Sequence, residues 1–83
     1  MDQRGSLDKL FQVVAETLNV PKHELSRDSR RDSIKEWDSL GHIMLILAIE
    51  REFHFKFSIE QIDRIKTIAE IIACVLPEIS AEI

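Results

Sequence analysis

The chain has 83 residues, enough for one domain with a modest core. Its hydrophobic content of 45% and charged content of 31% are those of a globular fold, and a net charge of −4 disfavours a nucleic-acid module, which needs a basic face. A single cysteine, Cys74, leaves no internal disulfide to form, and only 2 Gly and 2 Pro favour long helices over hairpins.

Residues 1–6 read as a loose tail, and Asp2 to Ser6, polar throughout, read as no secretory leader. Ser6 is positioned to cap a helix that has Asp8 in its first turn. Leu7, Leu10, Phe11, Val14 and Leu18 then recur at helical spacing, which predicts a first helix over about residues 7–18. Asn19 ends it and Pro21 blocks a simple continuation.

Residues 19–38 form a long polar connection, with a single turn expected at Lys22 to Leu25. Leu25, Ile34 and Trp37 are spaced to pin it onto the rest of the domain. A loop of this length counts against a compact fold unless it has a role. Within it, Arg27-Asp28-Ser29 and Arg31-Asp32-Ser33 make a small repeat, read here as a solvated mixed-charge stretch. Residues 22–35 hold five basic and three acidic side chains, a local net of +2, whereas residues 36–83 hold nine acids against four bases, or −5. This polarity could orient the domain on a partner.

Asp38 and Ser39 are both good helix starters, since their side-chain oxygens accept from free N–H groups of a first turn. Leu40 and then seven apolar residues in a row, Ile43 to Ile49, follow, and a second helix is expected over about 39–53. A helix apolar nearly all round is either enclosed or offers a second face to something else. Leu40, Met44 and Ile46 are the residues expected on such a partner-contact face. Met suits a surface that meets several partners, being flexible and polarizable. Phe53, Phe55 and Phe57 alternate with polar residues but lack a partner strand, so they are read as a connecting loop. Ser58 with Gln61 has capping-box spacing and opens a short helix over about 59–64. Thr67 with Glu70 repeats the device and opens a last helix over about 68–76, with Ile68, Ile71, Ile72 and Val75 as its apolar stripe. Pro77 is expected to stop it and residues 78–83 to fray. The result is an all-α fold, a small four-helix bundle of three longer helices and one short one.

The start of a helix carries partial positive charge and unpaired N–H donors, so an anion attached there is favoured. A serine at that place is suited to carry a phosphate ester. With Trp37 before it and Gly41-His42 after, the Asp38-Ser39-Leu40 signature, the apolar helix and Glu50 to Phe53 make the chain resemble the acyl and peptidyl carrier protein family from about Leu7 to Leu76. That family also has a long loop between its first two helices. The resemblance implies that a phosphopantetheinyl transferase, using Mg²⁺ and coenzyme A, attaches a 4′-phosphopantetheine arm to Ser39, with Asp38 assisting near the metal and Leu40 following the modified serine. It further implies an acyl or aminoacyl thioester on the arm, a loading ligase, and downstream condensing or transferring enzymes. Fatty-acid members line the exposed side of the second helix with acids. Here Gly41 and Met44 stand where acids are often found and Arg51 interrupts the later acidic cluster, so a discrete carrier in a specialised pathway fits better.

A carrier is a substrate rather than an enzyme, and no convincing catalytic pair is present. Ser39 and His42 share a helical face, but with no orienting third group they make a poor hydrolase. His42 is expected at the surface of the first turn, and Cys74 in packing on the last helix. No metal-binding pattern of Cys and His occurs, the longest apolar run is far short of a membrane span, and a monomer in the cytoplasm is expected. The competing reading is a helical interaction module in which Ser39 is only a cap.

Overall fold

The computed structural model describes residues 3–81, and side chains over 5–76. It contains four α-helices, α1 (Gln3–Leu18), α2 (Ser39–Phe53), α3 (Ile59–Arg64) and α4 (Ile68–Ala81), with two single 3₁₀ turns at Lys22–Glu24 and Arg31–Ser33 in the long connection. Among the described residues there is no strand, only one isolated antiparallel bridge between Arg30 and Thr67. The fold is the all-α bundle the periodicity predicts.

Each helix end has a local cause. α1 stops at Asn19, which takes the left-handed conformation at φ 59°, while the Val20 N–H closes back on the Ala15 carbonyl at 3.0 Å. α2 ends the same way on His54, at φ 54°, with the Phe55 N–H on the Glu50 carbonyl. α3 opens with the complete Ser58–Gln61 capping box. At α4 the Glu70 N–H donates to the Thr67 hydroxyl and the Thr67 N–H to the Glu70 carboxylate. The Lys66 N–H donates to the same carboxylate oxygen at 2.6 Å, and this backbone donor leads the causes that hold the Glu70 carboxyl below its ordinary range.

Two boundaries differ from the sequence-based expectation. α1 begins at Gln3, so Ser6 lies inside the helix and does not cap it. Gln and Arg are good helix formers, and Gly5 weakens that first turn without breaking it. The loose tail expected over residues 1–6 is therefore helical from residue 3 onward, and residues 1–2 lie outside the described residues. α4 runs through Pro77 to Ala81. Proline fixes φ at a helical value, but it lacks the N–H that would bond the carbonyl of Ala73 and its ring crowds that carbonyl, a cost the helix bears here without ending. Ala73 is exposed, so water can take the place of the missing N–H. Residues 82–83 lie outside the described residues.

The core is a single cluster: Leu10, Val14 and Leu18 from α1, Leu45, Ile46 and Ile49 from α2, Ile68, Ile71 and Val75 from α4, with Phe57, Ile65 and Trp37 closing it. Leu25 and Ile34 pack against it from the long connection, as their spacing predicts. That connection is also held by backbone bonds to the segment entering α4: Arg31 N–H to Lys66 O at 2.8 Å, Ile68 N–H to Ser29 O at 3.1 Å, and Ala69 N–H to Arg27 O at 2.9 Å. A 20-residue connection is thus tied at its middle to the start of α4, which satisfies its backbone groups in so small a domain.

Candidate functional site

Asp38 and Ser39 meet the solvent where α2 begins. Asp38 is the N-cap, in an extended conformation, and its Oδ1 accepts the Gly41 N–H at 2.8 Å. Its own carbonyl takes the first intrahelical bond, from the His42 N–H at 2.8 Å. Ser39 is therefore the first helical residue, and it is exposed. Its hydroxyl is not needed as a cap, because Asp38 already performs that task. A serine relieved of capping, exposed at the positive end of a fifteen-residue helix, is a good acceptor for a phosphoryl group.

Gly41 allows this arrangement. A Cβ built there would collide with the backbone oxygen of Glu36 and would lie 3.2 Å from Asp38 Oδ1 and 3.3 Å from Leu18 Cδ2. The loop crosses directly over the first turn of α2, and only a residue without a side chain fits beneath it. An acid at this position would require the Glu36 carbonyl or the first turn of α2 to shift.

His42 departs from expectation. It is 4% exposed, not a surface residue. Trp37 Nε1 donates to its Nδ1 at 2.9 Å, and its Nε2 lies 2.8 Å from the Ile62 carbonyl. Because a carbonyl can only accept and an indole N–H can only donate, Nε2 carries the proton and Nδ1 the lone pair, which is the neutral imidazole. Burial is the main cause that lowers its pKa, and the nearby charges of Arg31 and Lys66 act in the same direction, against the raising effects of the Ile62 carbonyl and Asp63. Both ring nitrogens are occupied within the core, so His42 does not form the hydrogen bond with Ser39 that their spacing would allow.

α2 carries two apolar stripes. His42, Leu45, Ile46 and Ile49 face inward, while Leu40, Ile43, Met44 and Leu47 face out. Leu40 is 69% exposed and Met44 49%, in keeping with the expected contact face, but Ile46 is 3% exposed and cannot belong to it. Ile43 and Leu47 take its place. Each set has i, i+3, i+4, i+7 spacing, so both were readable on a helical wheel.

Beside Ser39 lies a depression of about 590 Å³ lined by Arg30, Arg31, Asp32, Trp37, Asp38, Ser39 and Lys66. The cationic residues come from two segments that the Arg31–Lys66 backbone bond holds together. An exposed hydroxyl beside them fits a phosphate-linked group. Cys74 is half-buried, and burial pushes its thiol above the ordinary range, as a packing role requires. Among the described residues there is no cluster of His, Cys, Asp and Glu able to hold a metal, and no helix is long and apolar enough to cross a membrane.

Comparison with known proteins agrees with this geometry. The family model described as "Phosphopantetheine attachment site" matches residues 8–75. The acyl carrier protein of Rickettsia canadensis is 34% identical over 64 residues, covering 77% of this chain and 74% of that protein. The acyl carrier protein of Coprothermobacter proteolyticus is 29% identical over 72 residues, covering 87% and 88%. In fold, the chain is similar to the solution structure of holo acyl carrier protein from Geobacter metallireducens, with a TM-score of 0.80, 24% identity, and coverage of 92% of this chain and 87% of that one.

Proposed function

The chain belongs to the phosphopantetheine attachment family, which takes in the acyl carrier proteins, and from that premise we propose that Ser39 is the residue that holds the arm. The chain is a carrier and not an enzyme, and its prosthetic group is covalent 4′-phosphopantetheine, which supplies a thiol able to hold an acyl group as a thioester. The observation supporting Ser39 is the division of labour at the start of α2: Asp38 caps the helix, and the Ser39 hydroxyl is left exposed.

The chain's own residues do three things in this reading. Asp38 fixes the first turn through Gly41 and keeps its second oxygen, Oδ2, out of the cap, where a transferase-bound Mg²⁺ can use it. Ser39 presents Oγ to the transferase as the nucleophile. Leu40, Ile43, Met44 and Leu47 offer an apolar strip to the enzymes that load and unload the arm.

That strip carries no acid, and the Glu36 carbonyl lies against Gly41 where an acid's side chain would begin. These two features support a discrete single-domain carrier in a specialised pathway, served by an acyl- or aminoacyl-loading ligase and by condensing or transferring enzymes with apolar contacts. The exposed strip meets such enzymes in turn, so the carrier acts as a monomer. A lone, half-buried thiol suits a reducing cytoplasm.

The test is intact mass after incubation with coenzyme A, Mg²⁺ and a promiscuous phosphopantetheinyl transferase. A gain of one arm is expected in the native sequence and none in Ser39→Ala. An unchanged native mass overturns the carrier reading and leaves the interaction module. A gain that persists in Ser39→Ala overturns the site.

A further inference from the structure

We propose that Arg30, Arg31 and Lys66 form a phosphate subsite, and that its ligand is the phosphodiester linking the arm to Ser39. The inference rests on Ser39 being the attachment residue and goes beyond it by assigning a role to the basic loop. The linkage would then have a resting place on this domain, at the base of an otherwise free arm.

The first observation is placement. All three cationic residues line the one depression of which Ser39 is also a wall. Of the two acids that line it, Asp32 Oδ1 pairs with Arg30 Nε at 3.2 Å, and Asp38 Oδ1 caps Gly41 at 2.8 Å while its Oδ2 stays out of the cap. Three positive and two negative side chains leave one positive charge, which a phosphodiester of one negative charge balances.

The second is rigidity of the mount. Arg30 and Arg31 are distant in sequence from Lys66, yet the Arg30–Thr67 bridge and the Arg31 N–H on the Lys66 carbonyl at 2.8 Å fix the segments side by side. A loop that merely needed solvation would not require two basic segments tied together beside the helix start. The third is the local field: Arg31 and Lys66 are near enough to His42 to oppose its protonation, so their charges reach the first turn of α2. The exposed strip of α2, Leu40, Ile43, Met44 and Leu47, carries no acid, while Lys66 also acts on Glu70 of α4.

The geometry favours the arm's own phosphate over the carboxylates of a partner protein, because the attachment oxygen belongs to a lining residue and so delivers its anion at high effective concentration. Proton-coupled ¹⁵N spectra of the apo and holo forms, prepared with mass-verified attachment, decide the matter. Attachment is expected to shift the Arg30 and Arg31 Nε signals and the Lys66 and Thr67 amides, and to raise Tm by about 3 °C at low salt. The Tm gain should shrink in ~0.5 M NaCl and vanish in the Arg31→Gln/Lys66→Gln double variant, whose backbone clamp is retained. Inorganic phosphate added to the apo form at the protein concentration should leave these signals unmoved, which separates a tethered ligand from a free-phosphate site.

A mass gain with unmoved Arg and Lys signals overturns the inference while leaving Ser39 as the attachment residue. A Tm gain undiminished in the double variant does the same. Signals that move only when an enzyme is added assign the cations to a partner's carboxylates and overturn it as well. Absence of any mass gain is a failure of the carrier reading, which removes this inference with it.

Discussion

Trp37 Nε1 donates to Nδ1 of His42 at 2.9 Å, and this one bond joins the end of the long loop to the helix that begins two residues later. The rings also stack, with centroids 6.1 Å apart. Protonating His42 would place an N–H where Trp37 already points its own.

The sign of the pH dependence follows. The folded pKa of His42 lies below its ordinary value of 6.5, so in acid the unfolded chain binds the proton first. Stability contributed by the neutral ring is present above pH 6.5, declines as pH falls below it, and levels off once the folded form also titrates. Urea melts followed by the single Trp across pH 5 to 8 should show this decline, and it should be absent in His42→Gln. His42→Ala strands the Trp37 N–H and the Ile62 carbonyl and is expected to cost about 2–4 kcal/mol at pH 7.5.

Gly41→Ala tests the close passage of the loop. With the Glu36 oxygen in the way, either the loop or the first turn of α2 must shift. A loss of about 1–3 kcal/mol is expected, together with slower modification at Ser39, because the displaced loop carries the N-cap. Equal stability of the variant and the native sequence in urea melts would mean that the loop yields freely.

His54→Gly should stabilise the domain. His54 sits at φ 54°, ψ 51°, where a side chain is strained and glycine is not. Its side chain is exposed, so little packing is lost. A gain of about 0.5 kcal/mol remains after the extra chain entropy of glycine is deducted, read as a small upward shift in Tm.

The two stripes of α2 separate stability from recognition. Ile46→Ala should cost about 2–5 kcal/mol, as for any buried large aliphatic residue. Met44→Ala should change stability by less than about 0.5 kcal/mol and weaken docking to a cognate enzyme, measured by titration of the holo form. If both variants had the same thermal stability, the division into inner and outer faces would be wrong.

Asp38→Ala removes a cap while leaving Ser39 in place. Loss of the Gly41 bond is expected to cost about 1 kcal/mol. Transferase kinetics should fall further than this loss of stability explains, through a lower kcat, if the carboxylate also serves the metal.

Local chemistry made most of the bundle legible in advance. The caps at Asp38, Ser58 and Thr67 depend on a side chain and an N–H within one turn, and the stripes of α1 and α4 on spacing within one helix. Such features are set by near neighbours along the chain, and the structure reproduces them. Which side of α2 faces the core was not set in that way, because both of its stripes have helical spacing and both are apolar. The position of α1 against α2 decides it, with Leu45, Ile46 and Ile49 joining the core cluster and Leu40, Ile43, Met44 and Leu47 left uncovered. His42 follows the same decision. It shares the inner face, and burial there is acceptable only because Trp37 and Ile62 arrive from other segments to satisfy both nitrogens. Arg30 and Arg31 met Lys66 for a similar reason: backbone hydrogen bonds between distant segments are invisible to periodicity and exist only once the chain has closed on itself.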